Sequence, residues 1–124
     1  MNAWSKADFM IAQPQGMELA EQYTQGATIV YGKQTAIDNA DIIYIKNWSS
    51  YHDYGTLSSN NDWLINENDL LMSNQAKIMH CLPVRRNIEV SDILLDSDSS
   101  IVTQQASNRI CAAQTVLSEI LKQL

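Results

Sequence analysis

The sequence predicts an α/β domain built on a parallel, doubly wound sheet with flanking helices, and two observations carry that prediction. Short apolar runs alternate with helix-length segments along the chain, the order that strand-crossover-strand units produce. The clearest run, Asp41-Ile42-Ile43-Tyr44-Ile45-Lys46, is apolar almost without interruption, as a strand covered on both faces requires. At 124 residues and 45% hydrophobic the chain has material for one core, so residues 1–124 are read as one domain or a piece of a larger one.

Taken in order, Phe9-Met10-Ile11-Ala12 is the first strand, and Gln13-Pro14-Gln15-Gly16 turns the chain into a helix over residues 17–23. Thr28-Ile29-Val30-Tyr31, β-branched and aromatic, is the second strand. Gly32 and a short helix over 34–39 follow, and 41–46 is the third strand. The pattern then breaks for about 18 residues, 47–64, rich in Ser, Asn, Asp, Tyr and Trp. A loop of that length is usually functional or disordered. Asn66-Glu67-Asn68-Asp69 opens a helix reaching about residue 74, with its acids where the helix dipole favours them. Lys77-Ile78-Met79-His80 is the fourth strand, 89–95 a short helix, and Ser100-Ile101-Val102-Thr103 the fifth strand. The last helix covers about 105–123, with Ile110, Ala113, Leu117, Ile120, Leu121 and Leu124 at three- and four-residue spacing.

Composition removes several function classes. Fourteen acidic against eight basic residues give a formal charge of -6, the wrong sign for a nucleic-acid surface. No apolar run reaches the roughly 20 residues that span a bilayer, so no membrane partner is expected. Two cysteines, Cys81 and Cys111, and no signal peptide read as a reduced, cytoplasmic chain without a disulfide framework.

In a parallel α/β sheet, ligands bind beyond the carboxyl ends of the strands, and three polar sets fall there. Lys46 with Asn47 and Trp48 ends the third strand, His80-Cys81 with Arg85 ends the fourth, and Gln104 to Arg109 follows the fifth. Each has an ordinary reading taken singly: a solvated lysine, a satisfied structural histidine, a surface ion pair for the arginine. Convergence on one edge favours the functional reading. A neutral imidazole polarises a carbonyl, and a guanidinium offers a planar fork to carboxylate or phosphate. Cys81 lacks a nearby second histidine as base, His52 lying in the long loop, so its thiol is read as a contact group. One His and one Cys without organised carboxylates make a poor zinc site, and neither metal nor cofactor is expected.

His80-Cys81-Leu82-Pro83, followed by Gln104-Gln105-Ala106-Ser107-Asn108-Arg109, resembles the paired signature that closes the ornithine transcarbamylases, His-Cys-Leu-Pro and then a Glu-Ala-Glu-Asn-Arg type helix start. The likeness runs from Ala7-Asp8-Phe9 through the terminal helix. It departs from the ordinary ornithine enzymes where they carry Asp-Thr-Trp and this chain has Lys46-Asn47-Trp48. Their Ser-Met-Gly loop is likewise replaced by Ser49-Ser50-Tyr51-His52-Asp53-Tyr54-Gly55. Both departures, with His-Cys-Leu-Pro-Val-Arg-Arg, look like the N-acetylornithine and N-succinylornithine branch of the aspartate/ornithine carbamoyltransferase family.

The resemblance implies a Rossmann-like second domain, the amino-acid-binding half of a carbamoyltransferase. The partners it implies are carbamoyl phosphate and an N-acylated ornithine, in a homotrimer when full length. Nothing in the chain resembles the family's Ser-Thr-Arg-Thr-Arg phosphate loop or its His-Pro-x-Gln segment. The amino-terminal carbamoyl-phosphate domain is thus expected to be absent, the strand opening the second domain missing, and the isolated chain inactive. By the same resemblance His80 donates to the carbamoyl oxygen, Cys81 faces the reacting amine, Leu82 helps hold the carbamoyl group, and Arg109 contributes to the carbamoyl phosphate pocket. Arg86 either helps bind carboxylate or faces water.

The substrate branch has a physical reason. Where the ornithine enzymes place an aspartate against the substrate's α-ammonium, Lys46 would repel that charge. Acylation removes the charge and leaves the α-carboxylate, which Lys46 and Arg85 can anchor, while Trp48 and Tyr51 line the acyl group. The alternatives are an ornithine carbamoyltransferase, a non-catalytic amino-acid-binding module, and an aspartate transcarbamylase. The last is disfavoured because those enzymes show His-Pro-x-Pro-Arg at this strand end.

Overall fold

Four of the five predicted strands form in the computed structural model, which describes residues 7–48 and 61–123. Strand β1 (Met10–Ala12) pairs in parallel with β2 (Thr28–Val30), Met10 opposite Thr28. Strand β3 (Ile42–Ile45) pairs in parallel with β4 (Lys77–His80), Ile45 opposite His80. The four strands make two parallel pairs rather than one continuous ladder. Helix α1 (Lys33–Ile37) packs against β1, β2 and the later helix α2 (Glu67–Met72), so the α/β class stands. Predicted residues 1–6 and most of the long loop, Tyr51 and His52 included, lie outside the described residues.

Strand periodicity decides which side chains make the core. Ile43 and Ile45 of β3 and Ile78 of β4 point to one face, where Ile37, Ile65, Val90 and Leu94 close over them. Ile42 and Tyr44 point the other way and remain 59% and 52% exposed. The two short helices α1 and α2 are joined by a buried pair, Lys33 Nζ donating to Asp69 Oδ2 at 2.8 Å and to the Leu64 carbonyl. Asp69 also accepts from the Asn66 backbone N–H at 3.0 Å, while the Asn66 side chain caps α2. No helix among the described residues is long and apolar enough to cross a membrane.

Three predicted elements come out differently. The helix expected over 17–23 is a single 3-10 turn, Glu21–Tyr23, that buries nothing; without a packed face, so short a helix has nothing to repay its nucleation. The helix expected over 89–95 is only α3 (Asp92–Leu95), capped by Ser91. Asn87, at φ 57, sends the preceding residues into a turn instead. The fifth strand, 100–103, shrinks to one bridge between Ile78 and Ser100. Continuing that ladder would need the His80 N–H to bond the Ile101 carbonyl. That N–H donates instead to Gln105 Oε1 at 3.0 Å, and the Ile101 carbonyl takes the Gln105 N–H as the first bond of α4 (Val102–Leu121). The β-branched run Ile101-Val102-Thr103 had favoured a strand, but strand propensity yields readily to tertiary context.

Candidate functional site

The carboxyl ends of β3 and β4 lie side by side because Ile45 is in register with His80, so the residues that follow each strand emerge at one edge. Asn47, after β3, stands 3.8 Å through its Oδ1 from the Cys81 sulfur after β4. Lys46 is exposed and Trp48 half-buried at the same strand end. The His80 N–H is held by Gln105 from α4, which brings the third polar set to the edge. Arg109, one helical turn beyond Gln105, lines a shallow open depression with Ala106, Ile110 and Ala113. Its side chain forms no ion pair among the described residues, contrary to the ordinary reading.

After His80 the chain reverses within three residues. Cys81 is an exposed free thiol, Leu82 takes a positive φ of 55°, and the Leu82-Pro83 peptide is cis. The turn folds the Leu82 N–H back onto His80 Nδ1 at 2.9 Å. An imidazole nitrogen that accepts a backbone proton carries none itself, so in the neutral ring the proton resides on Nε2. The His80 side chain is closed off from solvent, and Nε2 faces Glu89 Oε2 at 3.4 Å, a contact too poorly aligned to count as a hydrogen bond. Burial pushes the imidazole below its ordinary pKa; the Glu89 carboxylate opposes this, and Lys46 and Arg85 reinforce it.

Arg85 is gathered to the same carboxylate. Its Nε donates to Glu89 Oε1 at 2.7 Å and its backbone N–H to Oε2 at 2.7 Å. The side chain is 23% exposed, yet its Nη2 is buried and lacks a hydrogen-bond partner. Arg86 goes elsewhere: it forks onto Asp96 and Asp92 at 2.7 and 2.9 Å on the exposed surface. His80, Cys81, Leu82 and Arg85 therefore lie in one segment, Lys46 and Trp48 follow the neighbouring strand, and Arg109 lies further along α4 in a depression lined by α4 residues.

Glu89 was not singled out from the sequence. A lone acid opening a predicted helix is normally solvated, whereas here it is fully buried. The sequence signal was its spacing of four after Arg85 between the apolar Ile88 and Val90.

Residues 1–120 match the protein family described as the aspartate/ornithine carbamoyltransferase, Asp/Orn binding domain. Among curated proteins, the chain is 41% identical over 127 residues to an N-succinylornithine carbamoyltransferase of Bacteroides thetaiotaomicron, covering 100% of this chain and 40% of that protein. It is 32% identical to an ornithine carbamoyltransferase of Methanobrevibacter smithii, over 93% of this chain and 44% of that protein. Among solved structures, the fold resembles a mutant N-acetyl-L-ornithine transcarbamylase complexed with carbamyl phosphate and N-succinyl-L-norvaline, with a TM-score of 0.75 and 22% identity. That match covers 90% of this chain and 40% of the other, so the chain spans about two fifths of the relatives' length.

Proposed function

From a chain that belongs to the aspartate/ornithine carbamoyltransferase family, through its Asp/Orn-binding domain, we propose a protein that carbamoylates an N-acylated ornithine when complete. The reaction is attack of the uncharged δ-amine of N-acetyl- or N-succinylornithine on the carbonyl of carbamoyl phosphate. A tetrahedral centre forms, phosphate leaves, and the product is the N-acylcitrulline, a step of arginine biosynthesis.

One observation supports this reading most. Buried donors almost always find partners, yet among the described residues the two buried side-chain polar atoms without a hydrogen bond are His80 Nε2 and Arg85 Nη2. Both belong to the strand-edge turn; Nε2 already faces Glu89 Oε2 at 3.4 Å, and Nη2 is a donor suited to an anionic ligand. In the proposed reaction His80 donates to the carbamoyl oxygen as negative charge develops on it, and Arg85 Nη2 meets the substrate α-carboxylate. Cys81 faces the reacting amine, the backbone at Leu82 holds the carbamoyl group, and Arg109 contributes to the carbamoyl phosphate pocket. Lys46 adds positive charge for the carboxylate and disfavours a free α-ammonium, and Trp48 flanks the acyl group. No cofactor or metal takes part. The rest of the carbamoyl phosphate site is assigned to a separate amino-terminal domain, and the assembled enzyme to a cytoplasmic homotrimer whose 124-residue portion is inactive alone.

The test is the complete protein, assayed with carbamoyl phosphate and, separately, N-acetylornithine, N-succinylornithine and ornithine. We expect turnover of an acylated substrate and little of ornithine, with Lys46→Asp shifting kcat/KM towards free ornithine. Preference of the unmutated protein for ornithine would overturn the assignment of Lys46.

A further inference from the structure

Helix α4 meets the site through one polar contact. Among the described residues, its only hydrogen bond to another element is the one in which Gln105 Oε1 accepts the His80 N–H at 3.0 Å. A backbone N–H can only donate, so the Gln105 amide presents its oxygen there and not its nitrogen. Just before this point the chain runs as a parallel ladder, the Ile101 N–H reaching the Ile78 carbonyl at 2.9 Å. The next rung would give the His80 N–H a backbone carbonyl. A helical side chain supplies the acceptor instead, so the backbone of His80 is tied to α4 and not to a fifth strand. Val102 is the one buried side chain of α4, which leaves the helix little apolar packing within the chain to fix its position.

Two groups of the candidate site depend on that tie. The His80 side chain is closed off from solvent and its Nδ1 is taken by the Leu82 N–H at 2.9 Å, so placing its backbone places the ring and the turn after it. Arg109 stands four residues beyond Gln105, about 6 Å along the axis and about 40° round it, on the same face of the helix. We propose that Gln105 is a positioning residue, which joins α4 to the end of β4 and so holds His80 and Arg109 in fixed relation. That the two act on one ligand, carbamoyl phosphate, rests on the carbamoyl-transfer reading; the tie between the elements does not. A displacement of about 1 Å between groups serving one reacting centre costs about a hundredfold in rate. Arg85 is secured separately, by Glu89 at 2.7 Å, and Lys46 stands at the end of β3. Loss of the tie therefore falls on kcat and on KM for carbamoyl phosphate, not on KM for the acylated amino acid.

The experiment uses the complete protein with Gln105→Leu, which removes the acceptor at similar size, and Gln105→Glu, which keeps a side-chain oxygen at the same reach. Exchange of the His80 backbone amide is followed by NMR on histidine-labelled protein, with His80→Asn identifying the signal. In Gln105→Leu we expect that exchange to quicken about tenfold or more. We also expect kcat to fall about tenfold or more, with KM for the N-acylated ornithine changed by less than about threefold. Gln105→Glu should restore slow exchange and most of kcat. Unaltered His80 exchange in Gln105→Leu would overturn the proposal without any substrate being added. A lowered Tm with unchanged kcat, or a Gln105→Glu no more active than Gln105→Leu, would sink it as well. If Gln105→Leu does not fold, Gln105→Asn, one methylene short of the His80 N–H, takes its place with the same expectations. Turnover of free ornithine instead of the acylated substrate would remove the substrate assignment alone, and the same loss of kcat is then expected with ornithine. Quickened exchange in a protein that carbamoylates neither substrate would reduce Gln105 to a structural tie and remove the reaction reading with it.

Discussion

A histidine shut away from water registers acidity through stability as well as chemistry. Burial lowers the pKa of His80 in the fold, with Glu89 opposing and Lys46 and Arg85 reinforcing, so the unfolded chain binds its proton more readily than the native one. The neutral ring's contribution is whole above the unfolded value, about 6.5, and is lost as pH falls from there through the lower native value. In a His52→Gln background, the urea midpoint should therefore drop between pH 7.5 and pH 5.5, and His80→Asn should flatten that drop. An equal slope in both proteins would contradict this. The placement of His80 and Arg85 together after β4 was legible because both stand in one short segment of the sequence. The burial of Glu89 was not, since it depends on Ile65 and Val90 pairing behind the turn, a contact between residues 25 apart in sequence.

Among the elements, α2 is the one whose limits the sequence announced best, because Asn66 and Asp69 form a reciprocal cap. Asn66→Ala should cost about 1 kcal/mol, read as a lower thermal midpoint. A variant indistinguishable from the parent would mean that the Lys33 and Asp69 pair alone secures the helix start. The strands were equally legible, since alternation of Ile43 and Ile45 against Ile42 and Tyr44 is a local pattern. The 17–23 helix and the 100–103 strand were misread for one reason. Local propensity at both sites favours the predicted element, but the outcome turns on distant partners: nothing for the first to pack against, and the Gln105 side chain for the second.

For the molecule as a whole, the notable surface is the stretch of α4 from Ile110 to Leu121, where Ile110, Val116, Leu117, Ile120 and Leu121 are all more than half exposed. Such three- and four-residue spacing ordinarily marks a core face, but the described contacts of α4 are chiefly with β4 at its near end. In the 124-residue chain, Leu117→Gln should change the urea midpoint by no more than about 0.5 kcal/mol equivalent, as for other exposed sites. A loss of several kcal/mol would show that the stripe is covered in solution.

The sequence by itself determined the α/β class, the positions of four strands and the segment His80-Cys81-Leu82-Pro83 with Arg85 after β4, because periodicity and motif chemistry are written in neighbouring residues. Only the tertiary structure decided that one buried carboxylate serves both His80 and Arg85, that the fifth strand gives way to α4, and that the two strand pairs stay separate. The first two depend on side chains meeting across tens of residues, where burial and hydrogen-bond geometry outweigh local preference. No feature of the described residues explains the separation of the strand pairs.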